Sequence, residues 1–115
     1  MRWLEVIKVR TVNHVGLALT HLNNAKVRLA GHSRLEYVGV FSGITSPYDV
    51  AIHLVWTDLG DVIVGGSESG QEIAAEMAKI GLVDHFIWRL RDEWHAAADG
   101  PAKVDAVPAR REARA

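Results

Sequence analysis

The chain has 115 residues, 49% hydrophobic and 23% charged, which suits one globular domain and leaves no room for two. Lys and Arg number 13 and Asp and Glu number 14, for a formal charge of -1, so no broad basic field exists to wrap nucleic acid or dock on an acidic membrane. With no cysteine, disulfides, thiolate zinc sites, Cys nucleophiles and Cys-ligated clusters are excluded. The apolar runs, such as Leu54-Val55-Trp56, are far too short to span a bilayer. Arg2 has no apolar h-region behind it, so a cytoplasmic location is expected.

Trp3–Val12 alternates and is rich in β-branched residues, which predicts a strand with Glu5, Lys8, Arg10 and Thr11 as polar members. Asn13 is placed to cap a helix, and Val15, Ala18, Leu19, Leu22, Ala25 and Leu29 form its apolar stripe. Gly31 stands where a left-handed helix stop belongs. Arg34–Ser42 and Asp49–Trp56 read as two strands joined by a turn through Gly43, Ser46 and Pro47, a hairpin. Thr57–Gly66 fits either a short helix or a strand at Val62–Val64. Ser69 and Glu72 match a capping box, followed by a helical stripe of Ile73, Met77 and Ile80 that Gly81 ends. Leu82–Arg91 alternates again, with Asp84, Phe86, Trp88 and Leu90 on one face and Val83, His85, Ile87 and Arg89 on the other. Ala96–Ala115 holds two of the three prolines and little to bury, so it is expected to be a mobile tail beyond a domain of residues 1–95.

The order β-α-β-β-α-β predicts an α+β fold, a ferredoxin-like antiparallel sheet in the order 4-1-3-2 with both helices on one face. A sheet covered on one side should be polar on the other. These strands are not. The third carries Val50, Ile52, Leu54 and Trp56 on one face and Ala51, His53 and Val55 on the other. The bare face therefore needs a cover, and a second copy of the same sheet supplies it. The expected assembly is a two-fold homodimer closing into a barrel.

Two strands share a short pattern, His53-Leu-Val-Trp56 and His85-Phe-Ile-Trp88, and each sends its His and its Trp to opposite faces. The first strand lies between them, so the two histidines are spaced poorly for a shared zinc, whose ligand nitrogens sit about 2.0–2.1 Å from the metal. They suit the flanks of a small ligand better, or a first-strand side chain such as Glu5, Lys8 or Arg10. His53 and His85 are the candidate proton-transfer groups, because imidazole titrates near working pH. Trp56, Trp88 and Arg10 are the candidate ligand contacts. The competing reading makes both histidines hydrogen-bonded core or interface residues, and the tryptophans plain core. His14, His21, His32 and His95 read as surface residues. The stretch Gly65–Gly70 precedes a helix but lacks the Gly-Lys-Ser/Thr ending of a P-loop. No metal or cofactor motif is present.

From His53 to Trp88 the chain reads H-L-x-W, a Ser-Glu-Ser-Gly helix start, then E-I-A-A-E-M-A-K-I-G-L-V-D-H-x-x-W. With the element order, this resembles the dimeric α+β barrel superfamily, and within it the small antibiotic-biosynthesis-monooxygenase-like proteins. The resemblance covers most of residues 1–95. It implies a ligand cavity between sheet and helices or within the barrel, and oxygenation of polycyclic phenols without metal or cofactor. The family's third-strand Trp corresponds to Trp56. The Asn that oxygenating members carry on the first strand has no counterpart nearer than Asn13, and the second helix lacks the axial His of haem-degrading members. The expectation is a homodimer that binds a small apolar or aromatic molecule, with cofactor-independent oxygenation as its enzymatic reading and a non-catalytic binding or regulatory module as the alternative.

Overall fold

The computed structural model describes residues 2–57 and 65–93. Strand β1 runs Arg2–Arg10, helix α1 Val15–Leu29, β2 Leu35–Ser42, β3 Asp49–Thr57, helix α2 Glu68–Met77 and β4 Leu82–Arg89. All pairings are antiparallel and the sheet order is β2-β3-β1-β4, the order expected from the sequence. The assignments made for the tail from Ala96 onward, and most of the ambiguous stretch after Thr57, fall outside the described residues.

Alternation decides which side chains meet the helices. On β1 these are Trp3, Glu5, Ile7 and Val9, and on β3 Val50, Ile52, Leu54 and Trp56, all buried. Ala18, Leu22, Ala25 and Leu29 of α1 and Ile73 and Met77 of α2 close over them. Burying one such large apolar side chain stabilises the fold by about 1.5–3 kcal/mol. In β2 a register shift between Leu35 and Tyr37 leaves Leu35, Val38 and Val40 on the helix side and turns Tyr37 and Phe41 to the other.

That other face carries no helix among the described residues. The register seats Leu4 between Val55 and Trp88, and Val6 between His53 and Phe86. Trp88 is 59% exposed and Phe86 40%, and Tyr37 and Phe41 are also open. Charge lies at the two ends: at one, Arg10 binds Asp49 through two bonds of 2.7 and 3.0 Å and Lys8 lies 4.0 Å from the same carboxylate, and at the other Arg2 pairs with Glu36 at 2.7 Å and with Glu93.

Three local expectations are corrected. Asn13 does not cap α1. The N-cap is His14, without a side-chain bond, and the turn is held instead by Thr11 Oγ1, which accepts from the His14 amide at 3.2 Å. Thr11 is buried at the end of β1 and so is fixed in place, whereas Asn13 points into solvent. Gly31 is not left-handed. Among the described glycines only Gly66 has positive φ, and α1 ends through Ala30 in the right-handed region. The second helix starts two residues early, with Ser67 rather than Ser69 as its N-cap. The reason lies in what Ser67 touches.

Candidate functional site

Glu5 sits mid-strand on the helix side of β1 and is 0% exposed. A buried carboxylate requires partners for its oxygens, which offer about four acceptor sites. Four groups meet them. Trp56 Nε1 donates to Oε1 at 2.9 Å and Ser67 Oγ donates to the same oxygen at 2.7 Å. The Ser67 amide donates to Oε2 at 3.0 Å, and His85 Nε2 lies 2.6 Å from that oxygen. The sheet brings these together: β1 lies between β3, which carries Trp56, and β4, which carries His85.

The fourth wall is the start of α2. Ser67 Oγ donates to Glu5 and accepts from the Gly70 amide at 2.8 Å, so one hydroxyl both caps the helix and holds the carboxylate. The carboxylate thus lies at a helix N-terminus, where unpaired amides and the helix dipole favour negative charge. Two glycines make room for it. A Cβ on Gly70 would overlap the Glu5 carboxylate, and one on Gly66 would strike both Glu5 Oε2 and the His85 ring. Gly66 also has φ of 94°, which side-chain-bearing residues rarely adopt.

Beside the carboxylate stands an aromatic group. Trp3 and Trp56 stack with ring centroids 6.2 Å apart, and His32 meets Trp56 edge-on at 5.0 Å. Trp3 is buried, and its Nε1 has no hydrogen-bond partner among the described residues. An unsatisfied buried donor of this kind costs about 1–3 kcal/mol.

The structure separates the two histidines that the sequence offered as one pair. His85 faces the helices and Glu5. His53 faces the open side, 4.4 Å from the Phe41 ring between centroids, and burial there holds its pKa below the ordinary value. They lie on opposite faces of the sheet and do not flank one cavity. The tryptophans separate too: Trp56 is buried at the carboxylate and Trp88 is exposed on the open face. Arg10 is at the rim of the open face, bound to Asp49. That hydrogen bond raises the Arg10 pKa and lowers that of Asp49. Sequence reasoning named Glu5, with Lys8 and Arg10, only as a first-strand side chain that the histidines could flank, and did not single out Ser67. The signal was present for Glu5: a charged residue in the apolar phase of an alternating strand, with Trp3, Ile7 and Val9. Among the described residues no group of three His, Asp or Glu is arranged for a metal ion. No helix there is long and apolar enough to cross a membrane.

Chemically, the cluster is an imidazole held by a fully buried carboxylate, with an indole on the carboxylate's other oxygen. Such a pair can take a proton from an acidic group brought against the ring and return it.

No family model matches the sequence, and no curated protein matches it. Solved structures do match the fold. A conserved protein from Methanosarcina mazei aligns with a TM-score of 0.64 at 15% identity, covering 79% of this chain and 94% of that one. A structure described as an antibiotic biosynthesis monooxygenase aligns at 0.61 with 10% identity over 83% of this chain and 100% of its own. SnoaB, a cofactor-independent oxygenase from Streptomyces nogalater, aligns at 0.60 with 8% identity over 80% and 95%. The chain therefore has the ferredoxin-like α+β fold of these proteins. More particularly, its fold is that of the antibiotic-biosynthesis-monooxygenase-like structures.

Proposed function

We propose that the protein is a homodimer that binds a small aromatic molecule with an acidic C–H or O–H group and oxygenates it without a cofactor. His85 serves as the base, and Trp56 shapes the pocket. The observation that carries this reading is the carboxylate shared by an imidazole and a buried indole on the helix side of the sheet. His85 removes a proton from the substrate, and the resulting carbanion transfers its electrons to molecular oxygen. For an activated methylene the balance is R2CH2 plus O2 to R2C=O plus H2O, with the proton held by His85 returning as the peroxide loses water. The unpaired Trp3 indole offers a donor to an oxygen atom of a bound molecule. The likeness to SnoaB, described as a cofactor-independent oxygenase, supports the reaction class. The bare apolar face supports the dimer, since a contiguous patch of aromatic side chains is rarely left in water.

The test is oxygen uptake with an anthrone- or quinol-type substrate. Turnover that disappears in His85→Ala and persists in His53→Ala places the chemistry on the helix side. The reverse pattern places it within the barrel, on the open face. A non-catalytic binding module is the second reading. It is favoured by the completeness of the Glu5 network, in which every acceptor site is already filled from within the chain. It predicts ligand-dependent thermal stabilisation with no oxygen consumed, and indifference to both histidines.

A further inference from the structure

The environment of Glu5 says more about His85 than proximity alone. Trp56 Nε1 and the Ser67 amide are obligatory donors, since neither nitrogen can accept a hydrogen bond. The Ser67 hydroxyl accepts from the Gly70 amide and donates to Glu5 Oε1. Three of the four sites on the carboxylate are thus filled by donors, two of which cannot accept. This is the environment of an ionised carboxylate. An ionised carboxylate only accepts, so the nitrogen 2.6 Å from it must carry hydrogen. A neutral imidazole has one such nitrogen, and the other is a lone-pair acceptor.

From this geometry we propose that Glu5 is a positioning residue that fixes neutral His85 as the Nε2–H tautomer, with Nδ1 as its proton-accepting atom. No described residue hydrogen-bonds Nδ1, and the His85 side chain is 18% exposed, so that atom is the one left for a substrate proton. Substitution explains why the residue is Glu and not Gln. A side-chain amide would offer one acceptor oxygen to a site built from four donors, and its NH2 group would face either Trp56 Nε1 or the Ser67 amide, donor against donor. Placed on the Oε2 side, the amide would also invite Nε2 to accept, reversing the tautomer. Gly66 and Gly70 hold the clearance that lets carboxylate and ring meet directly. The inference rests on the oxygenase reading only where turnover is invoked. The tautomer is a property of the resting protein.

The decisive measurement is the tautomer of His85 in the intact wild-type protein. Long-range proton–nitrogen correlation on 15N-histidine-labelled protein reads it, at a pH where the ring is neutral, with the signal assigned by its loss in His85→Gln. The expected result is a single Nε2–H form with Nδ1 unprotonated. An Nδ1–H form, or a mixture with both nitrogens averaged, overturns the proposal. Ser67→Ala removes one donor but leaves the His85 contact, and should keep the tautomer. Glu5→Gln should lose it, with kcat for oxygen uptake falling on the order of a hundredfold while KM stays within about threefold. Unchanged kcat in Glu5→Gln also overturns the positioning role. A fixed Nε2–H tautomer in a protein that consumes no oxygen would sink the oxygenase reading and leave the role of Glu5 standing, so the two fail separately. Should Glu5→Gln not fold, the wild-type spectrum alone decides.

Discussion

The two faces of the sheet are made by the same four strands and carry opposite designs. The helix side is closed, and Glu5, the one buried charged side chain among the described residues, is fixed by four internal hydrogen bonds. The open side is apolar in the middle, flanked by charge at both ends, and its largest ring, Trp88, lies mostly in water. One face completes itself among the described residues, and the other presents apolar surface that those residues leave uncovered. Polar groups on the first face are specified by partners; apolar groups on the second are specified by a vacancy. Mutations should therefore read out differently on the two sides, in folding on one and in association on the other.

The largest effect belongs to the closed face. Glu5→Leu leaves four donors around an apolar side chain, and urea unfolding should show a loss of about 3–5 kcal/mol. A loss below 1 kcal/mol would mean that the donors find water and the closed face is not closed. Gly70→Ala comes next. Alanine ordinarily favours a helix, but here its methyl overlaps the carboxylate, and the net result should be destabilisation by about 1–3 kcal/mol. On the open face, Trp88→Ala should leave the urea midpoint of the isolated subunit nearly unmoved. It should weaken self-association by about 2 kcal/mol, roughly thirtyfold in Kd, read by analytical ultracentrifugation. Wild-type protein that stays monomeric at micromolar concentration would break the comparison outright.

The smallest effect is the pH response of His53. Burial holds its folded pKa below the ordinary value of 6.5, so the unfolded chain takes the proton more readily. Its contribution to stability is therefore complete above about pH 6.5. It is lost as pH falls from there through the folded value. Unfolding curves of wild type and His53→Gln should run together at pH 8 and part below 6.5, with the wild type losing more. A dimer that buries His53 further should steepen that divergence with protein concentration.

Element order and sheet order were legible because alternation in β1, β3 and β4 and the stripe in α1 are local signals. The two-sided apolarity of β3 was legible for the same reason. The helix start was not. Ser69 and Glu72 carry the local signature of a cap, yet Ser67 takes the position because Glu5, 62 residues away, binds its hydroxyl and amide. The site was half legible. His85 and Trp56 stood out as unusual residue types in strands, but their common partner was only one of three first-strand candidates, with Lys8 and Arg10, because the face of each was not assigned. Nor did the shared His-x-x-Trp pattern reveal that its two copies face opposite ways. That depends on the phase in which each strand is laid against β1, which no short window contains.

The clasp at Glu5 joins four stretches of chain that are far apart in order of synthesis. The carboxylate is made before its partners, with the serine 62 positions behind it and the histidine 80. Local turns cannot stand in for either, and contacts at such separations form late because the loops must close first. The nascent first strand therefore carries a charge with nowhere to rest until nearly all the domain has emerged. Completion of the fold is deferred to the arrival of β4, and a truncated product lacking that strand would leave the acid without the imidazole that fills its fourth acceptor site.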